Sequence, residues 1–347
     1  MNAFASYRAV SAKLSARKSS FFTDKEWNKV LEYKSLDQFV DFLKQKEQYK
    51  RFFNEYRTAE DLHRMDLEVL LEKYIVIQIE DILHYFSNAY KSFLKVLLME
   101  YEINDLLLII RFISKDEDVR DSETHFLHSR KYSKLPYEKL ISCKDIIQFV
   151  DLLKGSIYYD TLKTLTHEDV VKREFHMEMK LYILFFKTLI EKSAQLSKKD
   201  HGLVKEIIGM KIDLLNVQWI YRATKFYDIF PEEVLIYCLP YGRMIDYKKL
   251  KKLCYSQSSD EFKYHANKYL RFDLFKEEND TFLGNMMNRY IYKQLSGINQ
   301  NNEDISVVLA YIYKLGIELE DLVAVTESIR YSMPEGSVKK YLAHILS

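Results

Sequence analysis

The chain has 347 residues, of which 48% are hydrophobic and 30% charged, and it carries a formal net charge of +1 with only 8 glycines and 4 prolines. This balance argues against a disordered or membrane-embedded chain, and the near-zero charge gives no electrostatic reason to expect a nucleic-acid partner. Scarce glycine and proline leave little material for hairpins or phosphate-cradling loops, whereas long helices need neither. The composition therefore predicts an all-α protein.

The chain opens with a basic segment, because there is no acidic residue from Met1 to Thr23, and a second basic stretch follows in its last third. Each stretch is either a solvated helix face or a surface that docks on an acidic partner, and both readings stay open. The basic side chains concerned are Arg8, Lys13, Arg17, Lys18, Lys248, Lys249, Lys251 and Lys252.

One sequence unit recurs three times at an interval of about 110 residues. Phe39 to Lys44 (FVDFLK) recurs as Phe149 to Lys154 (FVDLLK), and Tyr49 meets Tyr159 at the same offset. A weaker third copy begins at Ser258. The Tyr-Ile pair is a second landmark, and it recurs 108 residues apart within helical patterns; its members begin at Tyr74, Tyr182 and Tyr290.

A third landmark is an acidic residue followed three positions later by Asn or Asp, with an arginine six residues further on in the first two copies. Its residues are Glu102, Asp105 and Arg111, then Asp213, Asn216 and Arg222, then Glu318 and Asp321. Asp213 is predicted to cap a helix N-terminus. The arginines are predicted either to form buried ion pairs within their own domains or to face a partner in a central cavity.

These landmarks divide the chain into three similar helical domains, residues 1–120, 121–230 and 231–347. The helix breakers Pro136, Pro231 and Pro240 lie between or beside them. The periodicity fits both an open string of domains and a closed arrangement about a pseudo-threefold axis.

Three cysteines, Cys143, Cys238 and Cys254, are odd in number and far apart, which indicates a reducing cytoplasm. The longest apolar runs stop far short of the roughly 20 residues that cross a bilayer, so we expect no membrane span. His125 and His128 have only a weak metal-like spacing, and a solvated loop is the simpler reading. Neither GxxxxGK[ST] nor GxGxxG is present, so no nucleotide, cofactor or catalytic site is expected.

Taken together, the three copies, the acidic motif followed by arginine, and the Leu-Pro pairs at Leu135 and Leu239 resemble one family. It is the family of the C subunit of V-type and archaeal-type ATPases and ATP synthases, whose eukaryotic vacuolar counterpart is called the d subunit. The likeness runs from Tyr7 to about Leu342. The third copy lacks the arginine at the equivalent place, and the turn after Leu135 has lost the glycine found at Gly242.

The resemblance implies a non-catalytic subunit in which three helical domains form a funnel about a pseudo-threefold axis. Its base would rest on the cytoplasmic face of the rotating proteolipid ring, and its mouth would receive the central stalk, so that it passes torque between them. ATP hydrolysis would occur in other subunits. Two alternatives remain, a free-standing helical scaffold for another protein partner and an enzyme of unknown type.

Overall fold

The computed structural model describes residues 21–53, 64–115, 117, 124–165, 174–226, 229–276, 282–299 and 302–344, together with residues 7, 10, 13, 14 and 17. Every regular element in these ranges is helical, which confirms the all-α prediction. The helices are α1 (Asp24–Leu31), α2 (Leu36–Gln45), α3 (Glu47–Phe53), α4 (Arg64–Leu83), α5 (Asn88–Val96), α6 (Met99–Lys115), α7 (Tyr137–Leu140), α8 (Ile146–Leu152), α9 (Tyr159–Leu162), α10 (Glu174–Ser193), α11 (Lys198–Phe226), α12 (Pro231–Ile236), α13 (Tyr247–Cys254), α14 (Ser259–Leu270), α15 (Leu283–Ser296), α16 (Ile305–Arg330) and α17 (Glu335–Val338), followed by a 3₁₀ turn at Lys339–Tyr341.

The chain divides into two compact units. Unit 1 joins Met1–Gln78 to Phe272–Ser347, and unit 2 is Ile79–Arg271. Unit 1 therefore combines an early and a late part of the chain. The division into three domains stays a prediction.

In unit 1, α16 is the central helix, and α2 and α15 both pack against it. Asp304 caps its N-terminus, and apolar side chains are buried along most of its length. The buried rings of Phe39, Tyr49 and Tyr311 belong to the core of this unit. Burial of large side chains such as these supplies most of the favourable free energy of folding.

In unit 2, α11 has the corresponding position, and α10, α12, α13 and α14 pack against it. The recurring Phe of the sequence unit is buried in all three copies, at Phe39, Phe149 and Phe262. Each follows by four residues a side chain that caps a helix, because an oxygen of Ser35, Asp145 or Ser258 accepts a backbone N–H at that helix start. The repeat thus specifies where a helix begins and which ring it buries.

Candidate functional site

The most regular feature of the molecule is an aspartate that holds a returning loop in each of the three copies. Asp105 accepts the N–H groups of Leu127 and His128 at 2.8 and 2.9 Å. Asp321 accepts those of Ala343 and His344 at 2.8 and 3.1 Å.

In the second copy Asp213 does the same for Met244 and Ile245, at 2.7 and 3.1 Å. The three carboxylates lie 108 residues apart and are all buried. We call each aspartate with its two backbone donors a carboxylate clamp.

The clamps correct the expected role of Asp213. It lies in the middle of α11, far from the helix start at Lys198, so it is not an N-cap. They also shift the register of the motif, because Asp213, and not Asn216, is the counterpart of Asp105 and Asp321. In the sequence, the Tyr-Ile pairs recur at the same interval of 108 residues, and this interval indicates the correct alignment of the three aspartates.

Two further contacts repeat between glutamate and tyrosine, one partly buried and one buried. The hydroxyl of Tyr158 donates to Glu102 at 2.6 Å, and that of Tyr49 donates to Glu318 at 3.1 Å. Each glutamate lies three residues before a clamp aspartate. Tyr158, and not the expected Tyr159, is therefore the counterpart of Tyr49, since the second copy reaches this ring one residue earlier.

The equivalent positions in the rest of the chain have both lost their polar groups. Three residues before Asp213, the second copy has the buried apolar side chain of Met210. Ten residues after Phe262, the third copy has Phe272, which lacks a hydroxyl. A buried carboxylate without a donor is costly, so the glutamate and the tyrosine hydroxyl are expected to be present together or absent together.

The histidines of the first and third clamps each stack on an aromatic ring. His128 Nδ1 lies 2.8 Å from Asp105 Oδ2, and its ring stacks on Tyr137 with centroids 3.5 Å apart. His344 Nδ1 lies 2.7 Å from Asp321 Oδ2, and its ring stacks on Trp27 at 3.9 Å. His128 thus has a packing role. Within the described ranges there is no group of three or more His, Cys, Asp or Glu side chains that could hold a metal ion.

Burial sets the protonation of two of these carboxyl groups. It raises the pKa of Glu318 to about 7, although the N–H of Phe22, the Tyr49 hydroxyl and the charge of Lys46 favour the ionised form. Burial raises the pKa of Asp213 to about 6, although the backbone N–H donors and the charge of Lys249 favour the ionised form. Burial also raises the pKa of Tyr49 well above its usual value, so this hydroxyl is a donor at all ordinary pH values.

Arg111 and Arg222 are both exposed on the surfaces of α6 and α11, so neither side chain is buried as predicted. This part of the prediction is wrong. Counted from the clamp aspartates, Arg222 and Arg330 both follow by nine residues, whereas Arg111 follows by six. The third copy therefore has an arginine equivalent to Arg222.

The second clamp closes a longer connection than the other two. Its partners lie 31 and 32 residues after the aspartate, compared with 22 and 23 in the first and third copies. The connection of the second copy contains α12, and that of the third copy contains α17. Asn216 fastens this connection, since its side chain accepts the N–H of Leu239 at 2.7 Å and donates to the carbonyl of Leu239 at 2.9 Å.

The clamp and the longer connection meet at Gly242. A Cβ atom there would collide with Asp213 Oδ1 and would lie 2.9 Å from the carbonyl oxygen of Ile245. Only glycine lets the backbone come this close to the clamp. The preceding Tyr241 has φ 74°, a left-handed conformation that is strained for a residue with a side chain.

An open groove of about 740 Å³ lies between α12 and α13. Apolar and aromatic side chains form most of its wall, and acidic groups line it in addition to one lysine. Residues that line it include Ile236, Tyr241, Tyr247, Leu250, Lys251 and Tyr255.

The four lysines of α13 differ in their surroundings. Lys252 pairs with Glu261 at 2.7 Å, and Lys249 donates to the carbonyl of Met244 at 2.5 Å. Lys248 and Lys251 are exposed, and Lys251 lies over the ring of Tyr255 at 5.7 Å. The lysine stretch is thus partly structural, with Lys248 and Lys251 directed toward solvent.

In the basic N-terminal segment, Lys13 is exposed and Arg17 is partly buried, while Arg8 and Lys18 lie outside the described residues. No helix in the described parts of the chain is both long enough and apolar enough to cross a bilayer.

Comparison with known proteins identifies one family and relatives of one name. The family described as ATP synthase (C/AC39) subunit matches residues 10–341. The C subunit of the A-type ATP synthase of Pyrococcus horikoshii is 19% identical over 347 residues, which cover 98% of this chain and 90% of the relative. The protein of the same name from Methanosphaera stadtmanae is 20% identical over 358 residues, covering 97% of this chain and 87% of the relative.

Proposed function

This chain belongs to the ATP synthase (C/AC39) subunit family, and on that premise we propose that it is the non-catalytic socket between the central stalk and the membrane proteolipid ring of a rotary ATPase. The family match over nearly the whole chain carries the proposal, because the relatives that it aligns with end to end are C subunits of A-type ATP synthases. In this role the chain is a peripheral subunit at the cytoplasmic face of the membrane, and it transmits torque for ion transport or ATP synthesis.

The direction of the repeated contacts supports a closed set of three domains. Glu102 lies on α6 and accepts the hydroxyl of Tyr158 in the following copy. Glu318 lies on α16 and accepts the hydroxyl of Tyr49 in the first copy, and His344 of the third clamp stacks on Trp27 of that copy. A pseudo-threefold funnel would include contacts of these two kinds, from the first copy to the second and from the third to the first.

The buried polar contacts also suit a part that transmits torque. Each clamp joins a long helix to a loop through two backbone N–H groups, and such charge-assisted hydrogen bonds resist displacement of the loop. A socket needs a stiff body and broad contacts. It requires no reactive group of its own.

The experiment is co-purification from native membranes solubilised in mild detergent. The chain carries an affinity tag, and the recovered complex is analysed for the proteins of the central stalk and for the proteolipid ring. We expect both to be recovered in defined stoichiometry. Recovery of the chain alone, or with a soluble partner unrelated to the ATPase, would favour the alternative of a free-standing scaffold and would contradict the proposal.

A further inference from the structure

The structure brings two of the three cysteines together in the second copy. Cys238 lies two residues after the end of α12, and Cys254 is the last residue of α13, a helix that packs against α12. The two thiols share a hydrogen bond, although fifteen residues separate Cys238 from Cys254 in the sequence. Neither takes part in a disulfide. The sequence did not reveal this pair, because its spacing matches no known cysteine motif.

The two thiols differ in their access to solvent. Cys238 is partly exposed and lines the open groove between α12 and α13, so a small reagent in that groove reaches its sulfur. Cys254 is buried, with an exposed fraction of 2%. This difference assigns the order of reaction with an oxidant, in which Cys238 reacts first and Cys254 then attacks the product.

The backbone beside the pair is held by buried groups. Asn216 makes two hydrogen bonds to Leu239, which directly follows Cys238. The clamp of Asp213 holds the turn that leads into α13. Two sulfurs that are already in contact need to approach by only about 2 Å to reach the length of a disulfide bond. Holding them in this position replaces a chance encounter by a reaction between neighbours.

We propose that Cys238 and Cys254 are an oxidation site, at which a peroxide converts the two thiols into a disulfide that joins the ends of α12 and α13. In the first step the Cys238 sulfur attacks a peroxide oxygen, the O–O bond breaks, and a sulfenic acid and one water form. In the second step the Cys254 sulfur attacks the Cys238 sulfur, the S–S bond forms and the S–O bond breaks. The leaving hydroxide takes up the thiol proton, so two thiols and one hydrogen peroxide give one disulfide and two waters.

The surroundings of the pair slow this oxidation. The hydrogen bond with Cys254, together with burial, raises the pKa of the Cys238 thiol above its ordinary value. The thiolate is the form that attacks a peroxide, so a raised pKa protects the pair against weak or brief exposure. The pair is therefore a dithiol in a reducing cytoplasm and forms the disulfide under sustained oxidation.

The disulfide adds a covalent link to a connection that is already fixed in the folded protein. It closes a loop over the fifteen residues between the two cysteines and so restricts the unfolded chain. That loop contains Gly242 and the turn held by Asp213, so the folded state has little freedom left to lose. Oxidation at this site therefore stabilises unit 2. The inference does not depend on the function proposed above.

The test treats the purified, fully reduced full-length chain with hydrogen peroxide. Remaining thiols are blocked with N-ethylmaleimide and counted from the intact mass, and peptide mapping without reduction identifies any disulfide. The variants are Cys238→Ser and Cys254→Ser. The matched control is Cys143→Ser, because the Cys143 thiol donates to the carbonyl of Lys139 at 3.4 Å and burial raises its pKa to about 11, which makes it another slow thiol. Trp219 fluorescence in a Trp27→Phe background gives the Tm of unit 2.

We expect the wild type and Cys143→Ser to lose two thiols together and to contain the link between Cys238 and Cys254. The Tm of unit 2 should then rise by roughly 5–10 °C, and a dithiol reductant should reverse the rise. Cys238→Ser and Cys254→Ser should show neither change.

Three results overturn the inference. In the first, peroxide oxidises Cys143 while Cys238 and Cys254 stay reduced. In the second, Cys238 accumulates as a sulfinic acid with Cys254 still reduced. In the third, the link forms but the Tm does not rise. The peptide maps of the wild type and Cys143→Ser decide the question even if a serine at the buried position of Cys254 weakens folding.

Discussion

The hydroxyl of Tyr49 donates to the buried carboxyl group of Glu318 across 269 residues of sequence, and the backbone N–H of Phe22 donates to the same group at 2.8 Å. These contacts join the first and third copies within unit 1. The equivalent positions elsewhere in the chain are Tyr158 with Glu102, and the apolar residues Phe272 and Met210. At one of the three equivalent places, therefore, apolar side chains replace both the tyrosine hydroxyl and the glutamate.

The contact between Tyr49 and Glu318 predicts strong energetic coupling between these two side chains. Tyr49→Phe removes a hydrogen bond to an acidic group and should lower the free energy of unfolding by about 1–3 kcal/mol. The double variant Tyr49→Phe/Glu318→Met should be more stable than the sum of the single effects predicts, by about 1–2 kcal/mol. Urea unfolding followed by the fluorescence of Trp27, in a Trp219→Phe background, reports on unit 1.

The control for this cycle is Tyr33→Phe, because the hydroxyl of Tyr33 makes no hydrogen bond to the residues that the structure describes. It should change the free energy of unfolding by less than about 0.5 kcal/mol. Simple additivity of Tyr49→Phe and Glu318→Met would show that the contact is unimportant for stability.

Glu318 also predicts a pH dependence with a definite sign. Its pKa of about 7 in the folded protein exceeds the ordinary value of 4.5, so ionisation disfavours the folded state. Its contribution to stability is complete below about pH 4.5 and is lost as the pH rises to about 7, a loss of about 3 kcal/mol. Lys46 and Asp321, the charged groups that act on it, modulate this value in opposite directions.

Glu318→Gln removes this titration. The difference in unfolding free energy between Glu318→Gln and the wild type should shift in favour of the variant by about 3 kcal/mol between roughly pH 4.5 and pH 7.5. Urea unfolding of both proteins across this range, again followed at Trp27, measures the shift. Parallel profiles for the two proteins would refute the assignment.

The contact between the second clamp and its glycine predicts opposite effects for two glycine substitutions. Gly242→Ala places a Cβ against Asp213 and should destabilise unit 2 by about 2–4 kcal/mol, since backbone and carboxylate must both move. Gly202→Ala, on an exposed face of α11 with open space around it, should stabilise by about 0.5–1 kcal/mol. Trp219 fluorescence in a Trp27→Phe background follows this unit. If Gly242→Ala and Gly202→Ala changed the stability equally, the close approach of Gly242 to Asp213 could not be the cause.

The exposed lysines of α13 predict an electrostatic contribution to assembly. Lys248→Glu/Lys251→Glu should slow association with the stalk by about tenfold at low salt, and the difference should shrink at high salt as charges are screened. Stopped-flow association at several salt concentrations measures both effects. Lys198→Glu/Lys205→Glu makes the same change of charge on exposed positions of α11 and should have a smaller effect. Equal slowing of both double variants would show that the net charge of the protein matters and the position of the lysines does not.

The helical class and the positions of Phe39, Phe149 and Phe262 could be predicted from the sequence, because periodicity and N-capping residues are local signals. The clamps could not be assigned from the acidic motif, since its spacing suggested Asn216 as the equivalent of Asp105. Three-dimensional contact, and not local resemblance, defines that equivalence.

Other features depend on burial or on distant residues. The pKa of Glu318 follows from its removal from water by α16 and its neighbours, and no local pattern contains that information. Likewise, the groove depends on how α12 and α13 approach each other. The nine-residue difference between the connections becomes visible only when the clamp partners are known.

The contact of Tyr49 with Glu318 has a consequence for biosynthesis. At a ribosomal rate of about 5–20 residues per second, Tyr49 leaves the ribosome roughly 15–50 seconds before Glu318 is made. During that interval the rings of the first copy have no α16 to cover them. Unit 2, whose residues are contiguous, can complete its core first. The earliest apolar segment of the growing chain therefore waits for the last long helix before its core is complete.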